Sequence, residues 1–273
     1  MNSVSEIGKG VRLGRILGRG GRTVILALDH GVEHGPSEFP ERVLDAKVIV
    51  REAIKGGANA IMMHKGLALR TREEWAGRIP LILKITGRTA LAPEGSAFQA
   101  VVGAVEEAVA LGADGVAATV YVGSADEPSM LRDFGALVRR CMELGMPMLA
   151  LMYPRGPGIK DRHGVEYVRY AARLGGELGA DVIKTYYTGS AETFREVVRA
   201  AQAPVVAAGG PKLNTVREAL SMVKSVMDAG AIGVTIGRNV WASADPVGML
   251  NAIRRIVFRG QGVEEALKEV KAF

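Results

Sequence analysis

The chain has 273 residues, of which 48% are hydrophobic and only 5% aromatic, with 35 glycines, one cysteine and a formal net charge of +6. The single cysteine, Cys141, excludes an internal disulfide and a cysteine-built zinc site, and no charge-free apolar run reaches the ~18 residues of a membrane span. The positive balance fits either a nucleic acid or an anionic small substrate. The basic residues are spread along the chain without a nucleic-acid motif, so a small anion is the expected partner, with neither nucleic acid nor membrane.

The first 22 residues, MNSVSEIGKGVRLGRILGRGGR, are basic but lack an apolar stretch of signal-peptide type, so a cytoplasmic location is expected. Eight short apolar runs follow: Val24–Leu28, Ala60–Met63, Leu81–Ile85, Gly115–Val120, Met148–Met152, Asp181–Thr185, Pro204–Ala207 and Ile232–Ile236. Runs of this length, rich in β-branched and small residues, read as fully buried parallel strands. Amphipathic helical patterns lie between them at Ala100–Leu111, Met130–Leu144, Tyr167–Leu178, Ala191–Ala201, Val216–Ala229 and Val247–Val257.

A small tag precedes most strands: GGANA (56–60), LGADG (111–115), LGMPM (144–148), LGADV (178–182) and AGAIG (229–233). Its glycine suits a left-handed residue just past a helix end. Eight such units with no linker predict one (β/α)8 barrel domain over residues 1–273, preceded by a short basic extension that caps the barrel bottom or makes subunit contacts. An open doubly wound sheet is the alternative. It would carry a G-x-G-x-x-G after the first strand, where this chain has LDHGVEHGP.

In such a barrel the chemistry sits at the C-terminal ends of the strands. The first run is followed by Asp29, His30, Glu33 and His34, the second by His64 and Lys65; Lys84 lies in the third and Arg88 just after it. Tyr153 and Arg155 close the fifth; Lys184 and Tyr186 belong to the sixth. Gly209 and Gly210 end the seventh, and Gly237 and Arg238 the eighth. These last two ends read as a phosphate cradle of glycine backbone N–H groups, with Arg238 adding charge, or else as plain tight turns.

Lys184 is expected to have a lowered pKa at the end of an apolar strand and to attack a carbonyl as the neutral amine; the other reading is a buried ion pair with Asp29. Lys65 and Lys84 are lysines in similar positions, so position alone does not choose. Tyr153 handles protons if cations lower its pKa, or merely packs its ring. Asp29 holds the ammonium, acts on a hydroxyl, or caps a turn. His30 and His34 would share a face of a helix, as metal ligands do, but Gly31, Gly35 and Pro36 argue against a helix there, and no metal is expected.

LALDHGVEHGP, MYPRGP, DVIKTYYTGSAETF, PVVAAGGPK and GVTIGRNVW together resemble the archaeal-type class I fructose-1,6-bisphosphate aldolases, from about Val11 to Val257. The resemblance implies a TIM barrel with Lys184 as the Schiff-base lysine, Tyr153 as proton donor and acceptor, and Asp29 beside the lysine. It implies a sugar-phosphate site at His30, His34, Arg155, Tyr186, Gly209, Gly210, Gly237 and Arg238. It also implies no cofactor, a homo-oligomer up to a decamer, and a place in glycolysis or gluconeogenesis. The 2-amino-3,7-dideoxy-D-threo-hept-6-ulosonate synthases are similar throughout and share the lysine, tyrosine and aspartate. Leu151 and Met152 before the tyrosine, and the tail VEEALKEVKAF, lean toward them, and Ala208 stands where some aldolases carry serine. A barrel that only binds a sugar phosphate is the non-enzyme alternative.

Overall fold

The computed structural model describes residues 3–92 and 97–271; the last two residues of the VEEALKEVKAF tail lie outside that range. All eight expected strands are present: β1 (Thr23–Ala27), β2 (Ala60–Met63), β3 (Leu81–Lys84), β6 (Gly115–Val122), β7 (Met148–Pro154), β8 (Val182–Thr185), β9 (Val205–Ala208) and β10 (Gly233–Ile236). They pair in parallel and close in the order β1-β10-β9-β8-β7-β6-β3-β2, a (β/α)8 barrel with its helices outside. Two short strands, β4 (Thr86–Gly87) and β5 (Ala100–Val101), form an antiparallel ribbon beyond the end of β3.

The larger helices are α1 (Val4–Ile16), α3 (Ala46–Lys55), α7 (Glu127–Leu144), α8 (Val165–Glu177), α9 (Ala191–Ala200), α10 (Val216–Asp228) and α12 (Pro246–Arg259). The shorter ones are α2 (His30–His34), α4 (Lys65–Arg70), α5 (Arg72–Trp75), α6 (Val105–Ala110), α11 (Arg238–Trp241) and α13 (Val263–Leu267). Each tag contains a glycine with positive φ: Gly57, Gly112, Gly145, Gly179 and Gly230. A left-handed residue there lets the chain leave the helix and turn back into the next strand.

Two sequence expectations need correction. The helix expected over Ala100–Leu111 begins only at Val105. Ala100 and Val101 are extended and pair with Gly87 and Thr86, and the Val102 N–H bonds the Ile85 carbonyl. The consecutive β-branched pair Val101 and Val102 favours the pleated surface over the helix at this point. The second correction lies at His30–His34, which is helical despite its flanking glycines and proline. One turn suffices to hold it, and Gly35, at φ +70, ends it at once.

Strand side chains alternate between two cores. The outward set (Val24, Leu26, Ile61, Met63, Leu81, Leu83 among them) packs under the helices. The inward set, including Ile25, Met62, Ile82, Ala117, Leu149, Val182 and Val206, fills the barrel. Leu13, Ile16 and Leu17 of the N-terminal segment close the lower end of that inner core. Helix α1 is held there by polar clamps: Lys9 to Asp181 at 3.0 Å, Arg15 to Asp114 at 2.9 Å, and Arg12 to the Gly145 carbonyl at 2.9 Å. The clamped aspartates belong to two of the tags, so the tags both turn the chain and seat this helix.

Candidate active site

The same alternation positions the upper layer. Two residues beyond Ile82, Val182, Ala117 and Leu151 on the inward faces of their strands stand Lys84, Lys184, Thr119 and Tyr153. Because Leu151 and Lys184 are register partners, Tyr153 sits one step above the lysine on the neighbouring strand. These side chains, with Asp29, His30, Glu33, His34, His64, Tyr121, Arg155 and Tyr186, line one cavity at the C-terminal mouth, of about 790 Å³ including its part open to solvent. Gly209, Gly210, Gly237 and Arg238 complete its wall, so every site residue expected from the sequence faces this space.

Two lysines are buried here, Lys184 at 6% exposure and Lys84 at 5%. Lys84 Nζ donates to both the carbonyl and the hydroxyl oxygen of Thr86, each at 2.6 Å. Lys184 Nζ makes no hydrogen bond among the described residues, and no carboxylate lies within 4 Å of it. Lys84 is thus pinned and Lys184 free, a distinction that position in the sequence did not make.

Burial lowers the Lys184 pKa, and Arg238 adds to that, against the opposing pull of Asp29 and Glu33. Burial likewise brings Lys84 down to about 8, with Asp29 and Glu33 opposing. Burial alone would raise the Asp29 pKa, but Lys184, His30, Lys84 and His64 together hold it below its ordinary value. Asp29 therefore stays a carboxylate between two amines. It occupies the N-cap position of α2, yet its side chain caps nothing. Burial lowers both histidines beside it: His30, with Lys184, Arg238 and His34 adding to the effect, and His64, brought to about 4 with Lys84 adding. Both rings are neutral at pH 7.

Tyr153 departs from expectation. Its pKa is not lowered by cations but pushed well up, by burial first and then by Tyr186, Asp29, Tyr121 and Glu33. At rest it is a phenol. Its ring lies against Tyr186, and the Arg155 Nε–H donates to the Tyr186 hydroxyl at 3.4 Å. Arg155 also covers the Tyr121 ring at 4.6 Å and approaches Glu33 at 3.7 Å. Tyr121 donates to Glu33 at 3.1 Å and accepts from Gln99 at 2.8 Å.

At the ends of β9 and β10 the glycines act in different ways. The Gly209 N–H is taken by the Thr235 carbonyl at 3.1 Å, so it is no anion donor; a Cβ there would lie 2.6 Å from Ile236 Cγ1. Gly210 has φ +65 and open space beside it. A Cβ on Gly237 would meet the Ala27 carbonyl and His30 Cε1, both at 2.9 Å. Arg238 pairs with Glu38 at 3.0 Å. Thr235 Oγ1, Arg238 Nε and His30 Nδ1 are buried without a hydrogen-bond partner among the described residues. Unmet buried polar groups converging on a cavity suit an oxyanion.

His30 and His34 do stand near one another, their rings 5.7 Å apart. Among the described residues no three His, Cys, Asp or Glu side chains group as metal ligands do.

Sequence reasoning placed Lys84, Glu33 and His64 at strand ends without giving them a role, and left Tyr121, Thr86, Thr119 and Gln99 out altogether. The two-residue alternation from Ile82 and Ala117 signals Lys84 and Thr119. Nothing in the sequence signals Gln99, which arrives on the segment leading into β5.

Residues 23–243 match the family model described as DeoC/LacD family aldolase. The chain is 38% identical over 256 residues to the class 1 fructose-bisphosphate aldolase of Thermoproteus tenax, covering 93% of this chain and 96% of that one. It is also 38% identical over 262 residues to 2-amino-3,7-dideoxy-D-threo-hept-6-ulosonate synthase 1 of Archaeoglobus fulgidus, covering 96% and 95%. A solved structure of a Schiff-base-forming fructose-1,6-bisphosphate aldolase superposes with a TM-score of 0.86 at 37% identity, covering 92% of this chain and all of that one. Barrel, buried amine and matching relatives agree: the chain belongs to the DeoC/LacD family of aldolases.

Proposed function

We propose that this protein is a class I aldolase that reversibly cleaves fructose 1,6-bisphosphate to dihydroxyacetone phosphate and glyceraldehyde 3-phosphate, with Lys184 as the Schiff-base residue. The observation that carries this reading is the contrast between the two buried lysines, one pinned on Thr86 and the other unbonded in the cavity. The substrate's first phosphate sits at the β9 and β10 ends, against Gly210, Gly237 and Arg238, which places its C2 ketone near β8.

The neutral Lys184 amine adds to C2, and its proton passes to the ketone oxygen, giving a carbinolamine. The Tyr153 phenol then protonates that hydroxyl, which leaves as water. An iminium and a phenolate remain side by side, each stabilising the other. The phenolate takes the C4 hydroxyl proton, the C3–C4 electron pair moves into the enamine, and glyceraldehyde 3-phosphate departs. Tyr153 returns the proton to C3, and water releases dihydroxyacetone phosphate. The raised pKa keeps Tyr153 a phenol at rest, and the positive iminium that forms beside it is what favours giving up the proton. Asp29 holds the resting charge balance between the two amines.

The experiment is borohydride reduction in the presence of fructose 1,6-bisphosphate, followed by peptide mass spectrometry. A dihydroxyacetone phosphate-derived mass on Lys184 is the expected result, and no adduct on folded protein overturns the reading. The second reading is the heptulosonate synthase, favoured by the equal identity to the Archaeoglobus fulgidus protein and by Leu151 in the cavity wall. It predicts that only a deoxy-ketohexose phosphate donor leaves an adduct. A barrel that only binds sugar phosphate predicts no adduct with either. The aldolase reading includes a homo-oligomer, a cytoplasmic location and a role in glycolysis or gluconeogenesis. It needs no cofactor.

A further inference from the structure

Lys84 is a buried cation that the reaction above does not use. No carboxylate lies within 4 Å of its Nζ among the described residues, and its two hydrogen bonds both go to Thr86. An ammonium has three donors, so one N–H remains for the cavity that Lys84 lines. Thr86 is itself fixed, since its hydroxyl oxygen also accepts from the Thr119 N–H at 2.9 Å. The result is a rigidly mounted donor, whereas Lys184 has freedom to attack.

Its place in the barrel says what it faces. In the closed order of eight strands, β3 stands directly opposite β9. A substrate with its phosphate at the β9 and β10 ends and its ketone carbon on Lys184 of β8 extends its remaining carbons across the mouth toward β6 and β3. A buried charge without a close counter-charge is costly unless a ligand completes it.

We propose that Lys84 is a second substrate-contacting cation, donating a hydrogen bond to the C4 oxygen, the one that becomes the aldehyde oxygen when C3–C4 breaks. This rests on the aldolase reading. Tyr153 moves the proton of that oxygen; Lys84 stabilises the alkoxide character that builds while the proton is in transit, and polarises the aldehyde in the reverse direction. The two lysines thus divide the substrate: Lys184 binds the ketone half covalently and Lys84 holds the aldehyde half through one hydrogen bond.

The test separates the halves. Dihydroxyacetone phosphate alone carries the ketone and lacks C4. Borohydride trapping of this compound on Lys84→Met is expected to stay within about threefold of wild type, while fructose 1,6-bisphosphate cleavage falls by about 100-fold, the typical loss for one preorganised donor to a developing oxyanion. Thr86→Val keeps Lys84 but removes one anchor; the expected signature is the same, with about a tenfold loss. If Lys84→Met does not fold, Thr86→Val decides by the same comparison. Unimpaired cleavage, or trapping that falls in step with cleavage, overturns the inference. Wild-type protein that traps nothing from either compound overturns the aldolase reading instead, and this inference falls with it.

Discussion

Tyr186 lies nearly flat on Tyr153, with ring centroids 4.4 Å apart and planes 24° from parallel. Tyr186, expected to bind substrate, lines the cavity with its face against Tyr153 and its hydroxyl accepting from Arg155. In the proposed reaction it fixes the plane of the Tyr153 ring. Tyr186→Leu is therefore expected to lower kcat by roughly 10–100-fold with little change in KM, the pattern of lost orientation rather than lost binding. Tyr186→Phe, which keeps the stack, is expected to stay within about threefold. Steady-state kinetics of both variants checks this, and a KM effect dominating in the Phe variant would restore Tyr186 as a substrate ligand.

Lys184→Met should abolish borohydride trapping altogether and leave the fold intact, since an unbranched apolar chain of similar length replaces a buried amine with no hydrogen bond to lose. Melting temperature and adduct mass are the readouts. An adduct that persists on Lys84 would mean that the attacking amine has been misassigned.

Asp29 is the carboxylate whose charge acts most strongly on both lysines. Removing its charge in Asp29→Asn takes away the larger of the two carboxylate charges that favour the protonated lysines, Glu33 supplying the other, a change that costs up to about 3–5 kcal/mol. The loss depends on pH. Near pH 10 Lys84, whose pKa is about 8 even with Asp29 present, is neutral, and burial lowers the Lys184 pKa from its ordinary value as well. The gap in stability between wild type and Asp29→Asn should therefore narrow from pH 7 to pH 10. Chemical denaturation at the two pH values tests it, and a constant gap would show that Asp29 stabilises through hydrogen bonds instead.

His64 gives an acid-side prediction. Its folded pKa of about 4 lies below the unfolded value of 6.5, so the unfolded chain takes up the proton first as pH falls. Its share of stability is complete above pH 6.5, declines from there to pH 4 and is flat below. The 2.5-unit gap corresponds to about 3 kcal/mol. His64→Asn should remove its part of that slope, leaving what His30 and the carboxylates contribute. Denaturation midpoints at pH 4 and pH 7 for both proteins decide the matter.

Gly237→Ala should impair both folding and substrate binding. Its methyl group would press on the Ala27 carbonyl and His30, and on Trp241 Nε1 at 3.1 Å. Forcing a carbon into a packed backbone costs roughly 1–3 kcal/mol. Binding of inorganic phosphate, followed by calorimetry, should weaken in parallel; unchanged affinity would move the anion elsewhere in the mouth.

Much of this was legible in the residues. The eight apolar runs carried the barrel because a strand buried on both faces has no other composition to show. The tags carried the turns because a left-handed residue after a helix favours glycine. Lys184, Tyr153 and Asp29 were legible as strand-end polar groups. What stayed hidden depends on distance across the barrel. No local pattern in LILKITGRT says that Lys84 is bonded to Thr86, and none in MYPRG says that Tyr153 has Tyr186, Asp29, Tyr121 and Glu33 about it, so the direction of its pKa was not legible. The single turn at His30–His34 was missed because propensity weighs glycine against a helix, whereas here packing of His30 against Trp241, ring centroids 5.5 Å apart, holds the turn in place.

The clamps on α1 bear on how the molecule is assembled. Lys9, Arg12 and Arg15 reach partners 172, 133 and 99 residues further along the chain. During synthesis this helix emerges before the barrel strands, but it cannot seat until the chain has been made past Asp181, by which time five of the eight barrel strands have been made. Loop closure over such separations is entropically costly and slow. The lower end of the barrel is therefore made early and sealed late, and the nascent chain exposes the apolar ends of β1, β3 and β7 until α1 returns to cover them.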